Sequence, residues 1–164
     1  MNTHTLPYPF LSWDEAERKV RDLQAQGKTV VTSNGCFDIL HVGHVNYLER
    51  ARDLGDFLII GINSDASVLQ LKGKGRPLND EVSRGIVLRA LRSVDAVCIF
   101  EEDTPLSWLE KLKAPLHVKG GDYEVQKIPE TALLQKWGAQ VKILPFIEGF
   151  STSLLIEKSK KSCG

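Results

Sequence analysis

The sequence predicts one α/β domain built on an open, all-parallel sheet of five strands with helices on both faces. Three observations carry that expectation. Short runs of β-branched and aliphatic residues at 29–32, 57–62, 96–100, 116–119 and 141–144 alternate with stretches of helical periodicity, and such alternation calls for parallel pairing through right-handed crossovers. The run Phe57-Leu58-Ile59-Ile60-Gly61-Ile62 is apolar without a break, as befits a strand covered on both faces. Glycines and small polar residues gather after four of the strands, at 34–44, 61–65, 119–123 and 149–153. In a parallel sheet those are carboxyl ends, so the clusters share one edge and line one crevice.

The elements follow in order. Ser12-Trp13-Asp14-Glu15 has the form of a capping box opening a helix that runs to about Gly27. After the first strand, His44, Tyr47, Leu48 and Ala51 fall on one helical stripe that Gly55 can end. A short helix through Leu71 follows the second strand, then a loop, Lys72-Gly73-Lys74-Gly75-Arg76-Pro77, and a helix over about 80–91. Thr104 is expected to cap the next helix, which carries Leu106, Trp108, Leu109 and Leu112. A helix over about 130–137 leads to the fifth strand, and Ser151-Thr152-Ser153 opens the last helix. Residues 1–28 thus form a helical segment packed on the domain, 29–158 the domain itself, and 159–164 a polar tail.

Composition narrows the function. The chain has 164 residues, which suits one domain of ordinary size. Its 21 basic and 21 acidic residues balance, so no global field favours nucleic acid or a membrane surface. There is no cationic start followed by an apolar run, as a signal peptide needs, and no window reaches the ~20 apolar residues of a membrane span. The three cysteines are odd in number and scattered, which argues against a disulfide framework and for a cytoplasmic setting.

The most informative segment is Ser33-Asn34-Gly35-Cys36-Phe37-Asp38-Ile39-Leu40-His41-Val42-Gly43-His44. It places two glycines and two histidines at a strand-to-helix turn, where ligand phosphates usually sit. Gly35 and Gly43 let backbone N–H groups approach an anion, and the histidines add donors or positive charge. On its own, His44 reads equally as a buried histidine of the apolar stripe. No cysteine or carboxylate spacing completes a metal site around the pair. Lys72, Lys74 and Arg76 would ordinarily be a solvated basic loop, and Gly120-Gly121-Asp122 a plain turn. Ser151-Thr152-Ser153 has the form of an N-cap whose free N–H groups and hydroxyls also suit phosphates. The P-loop, Gly-x-Gly-x-x-Gly and Gly-x-Ser-x-Gly patterns are absent.

His41-Val42-Gly43-His44, with the string from Asn34 onward, resembles the His-x-Gly-His signature of the nucleotidylyltransferase superfamily in its cytidylyltransferase-like branch, and the fold expected is accordingly Rossmann-like. Within that branch four strings are similar to the heptose 1-phosphate adenylyltransferases: 34–44, Leu71 through Asn79, Phe100-Glu101-Glu102-Asp103-Thr104-Pro105, and Val118-Lys119-Gly120-Gly121-Asp122-Tyr123. The third is the most telling, since no phosphate chemistry demands it. Phe146 stands where the glycerol-3-phosphate cytidylyltransferases, the nearest competitors, carry an arginine.

The resemblance implies transfer of an adenylyl group from ATP to heptose 1-phosphate, with His41, His44, Lys72 and Arg76 catalytic. It implies nucleotide contacts from Asn34, Gly35, Cys36, Phe37, Asp38, Gly43, Gly120, Asp122, Ser151, Thr152 and Ser153, and substrate contacts from Asn63, Asp65, Lys119 and Gly121. Lys74 and Arg84 stay unassigned. It implies Mg²⁺ carried by the nucleotide phosphates, with no dedicated protein metal site, and a homodimer. It also implies a separate kinase that supplies the sugar phosphate, and a role in lipopolysaccharide core precursor synthesis. A cytidylyltransferase acting on a small phosphate, and a nucleotide-binding module without turnover, stand as the alternatives.

Overall fold

The computed structural model describes residues 10–162 except 122, 123, 146 and 148. Helix α1 (Trp13–Ala25) starts as a reciprocal capping box: the Ser12 hydroxyl accepts from the Glu15 amide at 3.3 Å, and the Glu15 carboxylate accepts from the Ser12 amide at 2.8 Å. Then come β1 (Val30–Gly35), α2 (Val42–Arg52), β2 (Phe57–Asn63), α3 (Asp65–Lys72), α4 (Glu81–Arg89) and β3 (Ala96–Phe100). They are followed by α5 (Leu106–Leu112), β4 (Leu116–Gly120), α6 (Pro129–Leu134), β5 (Gln140–Leu144) and α7 (Thr152–Ser162).

All five strands pair in parallel in the order β3-β2-β1-β4-β5. Register pairs Val30 with Phe57 and Val31 with Leu116. The strand order reverses between β1 and β4, which makes their carboxyl ends the switch point of this Rossmann-like sheet. Alternation along each strand sorts the core into two layers. Ile59 packs with Ala16, Val20, Trp108, Leu109 and Leu134 on the side of α1, α5 and α6. Leu58, Ile60 and Ile62 pack with Tyr47, Leu48, Ala51 and Leu88 on the side of α2 and α4.

Four details depart from the sequence reading, one being that α7 continues to Ser162 through most of the segment expected as a polar tail. Strand β1 runs through Asn34 and Gly35, so these residues end the strand rather than begin the turn. Helix α5 is entered through Pro105 and has no side-chain cap; the fixed φ of proline suits a helix start, which moves the boundary past Thr104. The helix expected over 130–137 ends at Leu134 and finishes as a 3₁₀ turn, Gln135–Trp137, closed by Gly138 at φ 75°. No helix among the described residues is long and apolar enough to cross a membrane.

Candidate active site

The chain leaves β1 through a strained turn. Phe37 has a φ of 47°, a region an L-residue with a large side chain rarely enters. Its ring lies over Gly35, where an added Cβ would be 3.0 Å away, and 5.2 Å from the His44 ring. His41 is the N-cap of α2 but makes no side-chain capping bond. Instead its ring stacks on that of His44, with centroids 3.9 Å apart and planes inclined by 28°. Gly43 makes room for this, because a Cβ there would meet the His41 ring at 3.0 Å. The Nδ1 atoms of both histidines are buried without a hydrogen-bond partner among the described residues.

Burial, together with the neighbouring His41, pushes the His44 ring down to about 4, while a weaker pull from the Ile39 carbonyl opposes it. Burial lowers His41 as well. Both rings are therefore neutral at pH 7, and each offers one N–H. The fully buried His117 is lowered to about 3, first by burial and then by Lys119. The unfolded chain takes up protons on the His44 and His117 rings near the ordinary value of about 6.5, whereas the folded chain resists down to about 4 at His44 and about 3 at His117. The folded state thus gains stability as pH rises from about 4 to 6.5 and loses it in the reverse direction. Ring-proton NMR should show His44 and His117 titrating below pH 5; ordinary midpoints near 6.5 would refute this burial account.

Asp38 holds the basic loop. Its carboxylate accepts from Arg76 Nε at 2.5 Å, from the Leu78 amide at 2.8 Å and from the Asn79 amide at 2.9 Å, and its carbonyl accepts from Asn79 Nδ2 at 2.6 Å. Burial would raise this carboxyl. The Asn79 and Leu78 amides and the Arg76 guanidinium overcome that effect and hold it below the usual range. Asp38→Asn should cost about 1–3 kcal/mol and speed tryptic cleavage at the exposed Lys74; unchanged cleavage would mean that the loop is held by something else.

Lys72 ends α3, and Lys74 is exposed at the loop tip. Burial raises the Cys36 thiol, against the opposing charges of Lys72, Arg84 and Arg76. The thiol therefore stays protonated, which is no state for a nucleophile.

Arg84, left open by the sequence, is fully buried. It donates to the carbonyls of Cys36 (2.6 Å), Asn63 (2.7 Å) and Asn79 (3.1 Å), and pairs with Asp65 at 2.9 Å. It joins the ends of β1 and β2 to the loop. One signal was available: Arg84 sits one helical turn from Leu88, on the inward face of α4.

Asn63 commits its side chain to Ser67 Oγ at 3.0 Å and to the Cys36 thiol at 3.7 Å, and Asp65 commits its own to Arg84. Tyr47, which the sequence marked only as apolar, bridges Ser33 Oγ at 2.6 Å and the Val118 carbonyl at 3.0 Å. Lys119 bonds Asn34 Oδ1 at 3.3 Å and pairs with Glu130. Gly121, with φ 133°, donates its amide to the Leu144 carbonyl at 3.0 Å. The Ser151 hydroxyl accepts from the Leu154 amide at 3.1 Å, as an N-cap does, while the Thr152 hydroxyl donates to the Ile39 carbonyl at 3.2 Å, and Ser153 is exposed. Asp122, Tyr123 and Phe146 lie outside the described residues.

These contacts bring the predicted clusters together at the carboxyl edge. Asn34, Gly35, Cys36, His44, Lys119 and Gly120 line a crevice of about 130 Å³ at the β1–β4 switch point. A larger cleft of about 430 Å³ lies beside α1, where Phe57 and Ala96 begin their strands. It is at the amino ends, away from every residue discussed above, and it is not where such sheets hold ligands. Among the described residues no three His, Cys, Asp or Glu side chains cluster as metal ligands, and the Asp38 carboxylate is already engaged. A hard cation carried by a polyphosphate brings most of its oxygen ligands with it.

Residues 33–158, which contain every part of this edge, match the cytidylyltransferase-like family. The chain belongs to that family. It is a nucleotidyltransferase by that membership. Among its relatives, the bifunctional protein HldE of Trichlorobacter lovleyi is 53% identical over 135 residues, covering 82% of this chain and 28% of the relative. HldE of Geobacter sulfurreducens is 44% identical over 160 residues, covering 92% of this chain and 33% of the relative. The chain thus spans about a third or less of these curated relatives. The crystal structure of a lipopolysaccharide core biosynthesis protein from Thermoplasma volcanium superposes with a TM-score of 0.60 at 32% identity, over 74% of this chain and 98% of that one. Pantothenate synthetase from Thermus thermophilus superposes with a TM-score of 0.58 at 15% identity, a likeness of fold alone.

Proposed function

We propose that this chain transfers the adenylyl group of ATP to D-glycero-β-D-manno-heptose 1-phosphate, releasing pyrophosphate and forming ADP-heptose. The observation that carries the transfer is the stacked, neutral His41–His44 pair at the N-terminus of α2, of which His44 lines the switch-point crevice with Gly35, Lys119 and Gly120. The four strings similar to heptose 1-phosphate adenylyltransferases, and the likeness to a lipopolysaccharide core biosynthesis protein, support the acceptor and a place in lipopolysaccharide core synthesis.

In this reading an oxygen of the sugar phosphate attacks the α-phosphorus in line, a new P–O bond forms, and the bond to the bridging oxygen of pyrophosphate breaks. His41 and His44 each direct an N–H at the α-phosphate oxygens as negative charge builds on them. Lys72 and Arg76 neutralise the departing pyrophosphate, with Arg76 aimed by Asp38. The amides at the start of α7 take the terminal phosphates. Mg²⁺, bound through the nucleotide, supplies further charge neutralisation. The protein contributes mainly position and preorganised donors. A kinase acting on the anomeric hydroxyl must supply the sugar phosphate, and a cytoplasmic homodimer completes the reading.

The test is pyrophosphate release with Mg²⁺, pairing ATP or CTP with heptose 1-phosphate or glycerol 3-phosphate. Turnover with ATP and heptose 1-phosphate alone is expected. Turnover with CTP and glycerol 3-phosphate would keep the chemistry and replace the substrates. Silence in all four with ATP still bound would favour a non-catalytic module.

A further inference from the structure

The string Phe100-Glu101-Glu102-Asp103-Thr104-Pro105 has no part in the phosphate chemistry, yet its end has a definite place in the fold. Thr104 and Leu106 line a cavity of about 270 Å³, faced by Lys127, Ile128 and Pro129 and bordered by Lys119 and Glu130. Lys119 also lines the crevice that holds His44 and Gly35, so the two spaces share this residue as a wall.

Glu130 is unusual for a charged residue in being almost wholly buried, with a side chain 5% exposed. One carboxylate oxygen, Oε1, takes the Lys119 ammonium. The other, Oε2, is buried with no hydrogen-bond partner among the described residues. A buried acceptor without a donor is unfavourable and rare, and this one belongs to a residue of the cavity wall. Lys119 uses two of its three protons, on Asn34 and Glu130. The cavity wall therefore holds an unpaired acceptor just beneath its surface, next to an ammonium with a proton to give. A hydroxyl group satisfies both at once. An adenine edge needs two atoms for this, its amine and a ring nitrogen, where a hydroxyl needs one. The volume, at the lower end of ligand sites, suits a single sugar.

The sidedness agrees. Val118 packs into the layer beneath α2, so its neighbour Lys119 faces the opposite side of the sheet, toward α6. A ligand in this cavity reaches the β1–β4 switch point from the face opposite α2. In-line displacement needs that arrangement, with the nucleophile entering across from the leaving group.

We propose that this cavity binds the polyol part of the acceptor: one sugar hydroxyl donates to Glu130 Oε2 and accepts from Lys119 Nζ, while the sugar's phosphate turns toward His41 and His44. The proposal rests on the transfer reading above and names the residues that select its acceptor.

The test uses the full chain and Glu130→Gln, which keeps the shape of the side chain and one oxygen for Lys119. The KM for heptose 1-phosphate should rise at least 10-fold, with the KM for ATP unchanged within about two-fold. A set of singly deoxygenated heptose 1-phosphates supplies the second readout. One analogue should bind the wild type as weakly as the variant binds the parent sugar, and should be indifferent to the substitution, since the two changes remove the same bond. A merely structural role for Glu130 would weaken all analogues alike. Should Glu130→Gln fail to fold, Thr104→Val at the exposed wall reads the same cavity and should raise the acceptor KM alone. A raised ATP KM with an unchanged acceptor KM would assign the cavity to the base and overturn the proposal. Wild-type turnover with an acceptor KM indifferent to both variants would overturn it while sparing the transfer reading. A wild type that turns over no sugar phosphate would overturn both.

Discussion

Replacing His44 by alanine is expected to lower kcat by about 10²–10³-fold, the loss typical of one preorganised oxyanion donor, in a protein that still folds. The ring sits half-buried against Phe37 and His41 at the mouth of α2, and burial keeps it neutral. A neutral donor fixed in place binds the ground-state triphosphate weakly and the more charged transition state strongly, so the loss should fall on kcat with the ATP KM changed only a few-fold. His41→Ala should behave similarly, because the stacked ring is also what orients His44. The double variant should then be little worse than the weaker single one, as for groups acting as a unit. His44→Asn, which restores an N–H donor without the imidazole, should recover part of the rate. The check is steady-state pyrophosphate release beside thermal unfolding. A folded, fully active His44→Ala protein would refute the mechanism.

The sequence made the sheet legible because parallel strands buried on both faces leave an unusually plain pattern, as at residues 57–62, and because helices alternate with them throughout. It also located the crevice, since topology alone puts residues 34–44 and 119–121 at one edge. What it missed concerns the partners of polar groups. Asp38 and Arg76 were read as separate nucleotide contacts, and the pairing of this carboxylate and guanidinium across 38 positions shows only in the fold. Thr152 was expected to offer its hydroxyl to phosphate and instead ties α7 to Ile39, a contact across 113 positions. Glu130 drew no attention, because its burial depends on Lys119 reaching it from β4. Spacing along the chain reports periodicity and local caps, and it is silent on long-range pairing of charges.

Arg84 shows the consequence of such pairing most clearly, and Arg84→Met is expected to destabilise the protein by about 3–5 kcal/mol. A wholly buried guanidinium that makes four charge-assisted hydrogen bonds is lost, even though the Asp65 carboxylate is partly exposed. Methionine fills much of the volume but donates nothing. The carbonyls of Cys36, Asn63 and Asn79 would each lose the donor described above, and the Asp65 carboxylate would lose its cation. Each buried acceptor left unpaired carries its own desolvation penalty. For a chain of this size the melting temperature should fall by roughly 6–20 °C. Arg84→Lys should recover little, because a single ammonium cannot reach four acceptors spread around a planar fork. At temperatures where the variant is folded, its ATP KM should rise, because the end of β1, the end of β2 and the basic loop share this one side chain as their common anchor. A variant with wild-type stability that loses only turnover would place Arg84 among the reacting groups, and the scaffold role drawn from its four bonds would have to be abandoned.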